Sequence, residues 1–356
     1  MVPESRPGRI VAEMVIPLRW VADATHSARI EEMALYLRCL SQTVTSTTVV
    51  DGSDDSAVEA HRRSWAPYAR IVRPDPGVTR PVRSSGDSAS HRDAPNGKVI
   101  GAVTGIRVAR HEHVVLADDD VRHTPDTISR LVASLAAADL VRPVNVYDGW
   151  PWQARWDGAR TLLNHAVATD WPGTFALRRS TVLRHGGWCA DALFENLEMW
   201  RTVSAAGGRV LGTPDIRVAR RPPSVSQFWS QRVRQAYDDF AQPVRLVIEL
   251  ALLPAGLVAL RSRPLALVAV AAASVVLAES GRRRLGREWV PPSVPLWAPV
   301  WLLERAVCVW LAVGSRLRGG VSYHGRRLSC AAHSSRHLRL VLAGSDAPRD
   351  DRGGDG

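Results

Sequence analysis

Three adjacent carboxylates, Asp118-Asp119-Asp120, follow the apolar run His113–Ala117. Like charges side by side repel, so such a triplet is costly without a cation. Side chains alternate along extended backbone, so Asp118 and Asp120 share one side. That pair suits a hard divalent ion, Mg2+ or Mn2+, which in turn holds phosphate oxygens. The plain alternative is a solvated acidic turn capping a helix at Thr124. A second acidic stretch, Asp51-Gly52-Ser53-Asp54-Asp55, closes a β-branched run; its ordinary role is a turn and helix N-cap. Asn96-Gly97-Lys98 stands before the acidic strand, and Lys98 is the single lysine among 46 basic residues. Its plain role is a solvated surface lysine. Downstream come Phe194-Glu195-Asn196-Leu197-Glu198 and Gln231-Arg232-Val233-Arg234. Glu195 and Glu198 are three residues apart on one helix face, near a helix start that favours their ionised form.

The elements that must hold these groups alternate along the first 145 residues. Met14–Pro17, Thr45–Val50, Ala69–Val72, His113–Ala117 and Leu140–Val146 read as strands. Ser27–Gln42, Ser56–Ala66, Asn96–Arg110 and Thr124–Ala137 read as helices by apolar period or capping residue. Strand and helix in alternation predict an α/β fold, a mostly parallel sheet with helices on both faces. Ligands of such sheets bind at the carboxyl ends of strands, where both acidic stretches lie. Pro74–Pro95 has turn residues and no period, and reads as a mobile loop. Residues 150–240 are less regular and rich in Trp, with a helix beginning near Leu193.

Charge and hydropathy divide the chain. Its 356 residues are 46% hydrophobic and carry +11, enough apolar content for a sizeable core. Residues 244–328 hold +8 of that charge and are also the most apolar part, whereas residues 1–243 hold +3. Basic residues flanking apolar runs point to a membrane rather than to nucleic acid. Val244–Leu260, Pro264–Ala278 and Leu296–Val313 are the apolar segments, each short for a span, which needs roughly 20 residues. The basic stretch Arg282–Arg287 belongs on the cytosolic side. The expected arrangement is a hairpin from the first two segments, with the third lying in the interface. The four cysteines are far apart and show no Cys-x-x-Cys or Cys/His ligand spacing, so zinc is not expected. The N-terminal stretch lacks the apolar run of a signal peptide. The expected division is an extension over 1–12, an α/β domain over 13–240 with halves 13–146 and 147–240, a membrane-associated helical region over 244–328 and a disordered tail over 329–356.

Taken in order, these motifs resemble the family 2 glycosyltransferases of GT-A fold. The Val-Ile-Pro strand, the Val-Asp-Gly-Ser-Asp-Asp turn, the Gly97–Gly105 helix and the Asp-x-Asp strand occur in the family's sequence. So do Gly173–Ser180, the Glu-Asp-like Glu195-Asn196 and the Gln-x-x-Arg-Trp-like Gln231–Arg234. The resemblance covers residues 12–240, and the apolar segments beyond are similar to the ceramide glucosyltransferase and polysaccharide-synthase branches. It implies a nucleotide-sugar-binding first half (13–146) and an acceptor half (147–240). It also implies that Asp51 meets the nucleotide base, Asp55 or Asp54 the ribose, and Lys98 the diphosphate. Asp118 and Asp120 would hold Mg2+ or Mn2+, and Gln231, Arg232 and Arg234 would border the diphosphate. The family usually carries the catalytic base as the Asp of its Glu-Asp motif. Here Asn196 occupies that position, which leaves Glu195 first and Glu198 second. Gln235 replaces the motif's Trp.

The activity so implied is inverting, metal-dependent transfer of a sugar from a UDP- or GDP-sugar to an acceptor hydroxyl. The acceptor would be a lipid or cell-envelope glycan, the place the cytoplasmic membrane with the domain facing the cytosol, and nucleic acid no partner. The alternative is a catalytically degenerate protein of the same fold that binds nucleotide-sugar or a partner enzyme.

Overall fold

The computed structural model describes residues 8–78, 95–323 and 326–345, so the loop expected over 74–95 lies mostly outside them. The chain opens with β1 (Ile10–Leu18), α1 (His26–Thr43), β2 (Val44–Asp51), α2 (Asp55–Trp65) and β3 (Arg70–Val72). There follow α3 (Gly97–Val108), β4 (His113–Ala117), β5 (Val121–Arg122), α4 (Pro125–Ser134) and β6 (Leu140–Tyr147). Next come α5 (Trp152–Val167), β7 (Thr174–Arg178), α6 (Arg179–Arg184), α7 (Glu195–Ala205), β8 (Val210–Arg220) and α8 (Val225–Tyr237). The strands form one sheet in the order β3-β2-β1-β4-β7-β6-β8-β5. Strands β7 and β5 run against their neighbours; the others run parallel to one another.

Both faces of the sheet are buried, and the alternation of side chains along each strand serves both. On β1, Met14 and Ile16 pack with Leu37 of α1 and Ile128 of α4, while Val15 packs with Val103 and Ile106 of α3. On β4, Val115 and Ala117 join the first layer, and Val114 and Leu116 the second. Several helices start at side-chain caps. Asp54 accepts from the Ala57 amide, Asn96 from the Lys98 amide, and Thr124 forms a reciprocal box with Thr127.

Helix α3 lies unusually close to the sheet because glycine faces it. A Cβ at Gly105 would collide with Val15, and one at Gly101 would stand 3.1 Å from Pro17 Cβ. This approach brings the N-terminus of α3, with Lys98, over the end of β4.

Three long apolar helices follow, α9 (Pro243–Ser262), α10 (Pro264–Leu285) and α11 (Ala298–Leu317). Each is long and apolar enough to cross a membrane. Leu257, Val258, Leu265 and Val268, near the turn between α9 and α10, are exposed. The far end of α10 returns to the domain, where Gly281 sits so close to α5 that a Cβ would meet the Leu162 carbonyl. Helix α11 is more embedded. Its Arg305 is fully buried and binds Asp239 at 3.0 Å, and its Glu304 meets Arg232 at 3.4 Å.

The chain then forms a hairpin, β9 (Val321–Tyr323) with β10 (Arg326–Leu328), and helix α12 (Ser335–Ser345). This corrects the expected disordered tail over its first part. The amides of Leu193 and Phe194 donate to the carbonyls of Cys330 and Ala331, and Leu338 is buried. Residues 346–356 of that tail, and residues 1–7 of the N-terminal extension, lie outside the described residues.

The glycine packing makes a prediction. Gly105→Val should destabilise the protein by about 1–3 kcal/mol, as overpacked sites do. Its unfolding temperature in detergent should fall clearly below that of the parent; an unchanged midpoint would contradict the close packing.

Candidate active site

The carboxyl end of β4 gathers the chemistry. Lys98 Nζ lies 2.7 Å from Asp118 Oδ1 and 2.6 Å from Glu195 Oε1. One ammonium thus joins a carboxylate from the strand end to one from the first turn of α7. Burial works against the charge on Lys98, but Asp118 and Glu195 outweigh it and hold the amine well above the ordinary lysine range. For Glu195 the same contest ends below the usual range: burial pushes the carboxyl up and the Lys98 charge and hydrogen bond bring it down further. Asp118 keeps a net rise to about 6, because burial dominates, with Lys98 pulling it down and Asp120 pushing it up.

Local packing shapes this cluster. A Cβ at Gly173 would run into the Asp118 carboxylate, so only glycine leaves room for it. The Asp118 amide donates to the Gly173 carbonyl at 2.7 Å. Asn196 Nδ2 donates to the Pro172 carbonyl at 2.9 Å and fixes the same loop. An ionised Asp could not make that bond, so Asn196 has a structural role here.

Asp120 binds Arg220 Nε at 2.8 Å through Oδ2, while its Oδ1 is buried with no hydrogen-bond partner. A buried, unsatisfied carboxylate oxygen is costly, and a hard cation is the natural partner for it. Asp119 turns away and accepts from Trp20 Nε1 at 2.5 Å. The donor set of Asp118 and Asp120 therefore fits Mg2+ or Mn2+.

Other expected site residues are not brought here. Asp51 is fully buried, accepting from the Ser53 amide at 2.9 Å and pairing with His61 Nδ1 at 2.6 Å. Burial raises its carboxyl, but these bonds outweigh it and leave the group below its usual value. Its oxygens are thus both hydrogen-bonded inside the protein. Asp55 stands in solvent, 3.2 Å from Arg73. Glu198 is also fully buried and accepts from the amide and Nδ1 of His333 at 2.8 and 2.9 Å. Both of its oxygens are thus engaged by His333.

Of the α8 residues, Arg232 is buried between Asp157, at 2.9 Å, and Glu304, and its Nε donates to the Phe228 carbonyl. It ties α5, α8 and α11 together. Gln231 is half-buried. Arg234 does reach the neighbourhood: it stacks on Tyr323, 5.1 Å from the ring centroid, and its charge acts on Glu195 and Asp238.

Four participants were not anticipated. Arg220 lies on β8 with no motif around it. Tyr323 comes from the hairpin after α11, and its phenol is raised by burial, then by the nearby Glu195 charge. Asp238 follows Arg234 by one helical turn, has a buried Oδ1 without a partner, and is pushed up to about 8 by burial, with Arg234 opposing and Glu195 adding. His333 carries burial's downward push, but its contacts to Cys330 and Glu198 raise it to about 11. His61, the partner of Asp51, is a fifth, and it shares the buried stripe of α2 with Ala57, Val58 and Trp65.

Beside Arg220 opens a small pocket of about 30 Å³, bordered by Tyr147, Trp150, His165, Trp171 and Leu285 of α10. Arg220, which pairs with Asp120, borders it on one side, and Leu285 of α10 on another.

No protein-family profile matches this chain, and no curated protein is significantly similar to it. Among solved structures, a mannosyltransferase from Pyrobaculum calidifontis in complex with GDP-Man and Mn2+ shares 16% identity. That match covers 96% of this chain and 81% of the other, with a TM-score of 0.42. Glucosyl-3-phosphoglycerate synthase from Mycobacterium tuberculosis, with Mn2+, UDP and glucosyl-3-phosphoglycerate, shares 18% identity over 63% of this chain and 76% of its own, with a TM-score of 0.37. Mannosyl-3-phosphoglycerate synthase from Rubrobacter xylanophilus shares 15% over 63% and 72%, with a TM-score of 0.36. At these scores the likeness carries no argument about this chain's activity.

The internal role of Arg232 is testable. Arg232→Ala leaves Glu304 and Asp157 short of a buried cation and should cost ~3 kcal/mol. A large drop in unfolding temperature is expected, against little change for Gln231→Ala. An Arg232→Ala protein as stable as the parent would restore Arg232 to the list of free ligand contacts.

Proposed function

We propose that this chain is a membrane-attached, metal-dependent glycosyltransferase of the family 2 type. It would move a sugar, with inversion, from a UDP- or GDP-sugar to an acceptor hydroxyl at the cytosolic face of the cytoplasmic membrane. The observation that carries this reading is the joining of Asp118 and Glu195 by Lys98, beside the unsatisfied oxygen of Asp120. A transfer of this kind needs charge for a departing diphosphate and a base for the incoming hydroxyl. Asp118 and Asp120 would hold the ion, whose positive charge stabilises the leaving diphosphate. Lys98 and Arg220 add fixed positive charge next to them. Glu195, kept ionised and oriented by Lys98, is the base assigned here.

The acceptor is proposed to enter through the pocket beside Arg220. Its aromatic walls suit a sugar or isoprenoid-like face, and Leu285 links it to the apolar helices, which favours a lipid-linked acceptor. Helices α9 and α10 are read as the membrane hairpin, with Arg282–Arg287 on the domain side. The buried ion pairs of α11 support its lying against the domain rather than crossing. Trp229, more than half exposed beside Trp152, fits an interfacial anchor.

A second reading, a silent protein that binds nucleotide-sugar without turnover, is favoured by Asp51 and Asn196 being used inside the fold. Turnover separates the two. Nucleotide-sugars with Mn2+ should raise the unfolding temperature and be consumed by the purified full-length protein. Asp120→Ala should lower turnover by about 10²–10³-fold, the size of a lost electrostatic contact. Undiminished activity would remove the metal role.

The base assignment has its own measurement. Glu195→Gln should reduce turnover by about 10²–10⁴-fold while donor binding persists. If Asp238→Asn has that effect and Glu195→Gln does not, Asp238 is the base.

A further inference from the structure

Away from that cluster, Cys189, Asp191 and His333 each offer a ligand atom, and these atoms lie within 4.8 Å of one another. The residues come from two distant stretches: the loop leading into α7 and the segment between β10 and α12. His333 Nε2 lies 3.9 Å from Asp191 Oδ2 and 3.8 Å from Cys330 Sγ. A tetrahedral zinc with bonds of 2.0–2.3 Å separates its ligands by roughly 3.3–3.8 Å. The His333–Asp191 and His333–Cys330 separations are therefore close to coordination spacing, and Cys189 lies within 4.8 Å of the first pair.

Two further observations point the same way. Asp191 Oδ1 is buried with no hydrogen-bond partner, although the residue faces this cluster. And His333 Nδ1 is held by the buried carboxylate of Glu198 at 2.9 Å, which fixes the ring so that Nε2 points at the sulfur and oxygen donors. A carboxylate behind the distal nitrogen is what orients histidines that ligate metal. Cys330 and His333 stand as Cys-x-x-His in the sequence, a spacing the expectation of no zinc passed over.

We propose that Cys189, Asp191 and His333, with Cys330 as the fourth donor after a side-chain rotation, form a structural zinc site. Zinc would displace the thiol protons of Cys189 and Cys330 and the Nε2 proton of the His333 imidazolium, releasing them to solvent, while the Nδ1–H stays on Glu198. The site is separate from the Asp118–Asp120 pair in place and in chemistry. Thiolate and imidazole select a borderline-soft ion, whereas paired carboxylates select a hard one.

The consequence is mechanical. The Cys189–Phe194 loop is bound on one side to Asn96, whose amide donates to the Ala190 carbonyl and whose side chain donates to that of Ala192. On its other side it pairs with residues 330–331. Asn96 caps the helix that carries Lys98, and the loop runs directly into Glu195. A zinc at this point would clamp the C-terminal segment, and with it Tyr323's hairpin, onto the loop that positions both ends of the Lys98–Glu195 pair.

The test uses the full-length protein purified in detergent without chelator or polyhistidine tag. Elemental analysis should find about one zinc per chain. Cobalt added to zinc-stripped protein should give thiolate-to-cobalt charge-transfer absorption at one equivalent. Both should be lost in Cys189→Ser and His333→Ala, and both should survive in the double variant Asp118→Asn, Asp120→Asn. The parent protein's cobalt titration stands even if a variant fails to fold. Absence of zinc together with absence of the thiolate band overturns the proposal. So does a band unchanged in Cys189→Ser, or zinc that disappears with Asp118 and Asp120.

Discussion

One ammonium between two carboxylates organises the functional end of this protein. Lys98 neutralises Asp118 at the end of β4 and Glu195 at the start of α7, groups that would otherwise repel in a largely dry setting. The arrangement requires α3 to approach the sheet more closely than a helix with side chains on that face could. Gly101 and Gly105 permit it. It also requires room beside Asp118, which Gly173 leaves, and a fixed loop before β7, which Asn196 holds through the Pro172 carbonyl. Each of these features is minor alone. Together they set where one charge sits.

The apolar helices are joined to the same framework by buried ion pairs. Arg232 holds α5 and α11 to α8, and Arg305 holds α11 to Asp239. Such pairs gain little over apolar packing but are costly to break, so they fix registry between elements. The result is that the hairpin after α11 delivers Tyr323 next to Arg234, and the following segment delivers His333 to Glu198. A region that looks like a membrane appendage in fact completes the neighbourhood of the site.

Much of the α/β scaffold was legible because its causes are local. The β-branched run before Asp51, the apolar period of α1, and the caps at Asn96 and Thr124 act within a few residues, and the structure repeats them closely. The tail was misread because Leu338, Val341 and Leu342 carry a helical period over too short a stretch to stand out from polar flanks. Glu198 was misread for a different reason. Three residues along a helix is 300° of rotation, close enough to share a broad face with Glu195 yet far enough to point to another partner.

What the sequence determined by itself was the inventory and its local setting: an acidic strand end, a lone lysine in the first turn of a capped helix, a carboxylate opening another helix, and basic apolar segments afterwards. Hydrophobic period and capping are short-range, so they survive in the linear order. Only the tertiary structure decided which charges meet. Lys98 and Glu195 are far apart in the chain, and Glu198 and His333 farther still. Their pairing depends on strand order and on glycine-sized gaps between layers. The same packing withdrew Asp51 and Arg232 from a ligand's reach by supplying each with buried partners, because a buried charge is held wherever its counter-charge lies.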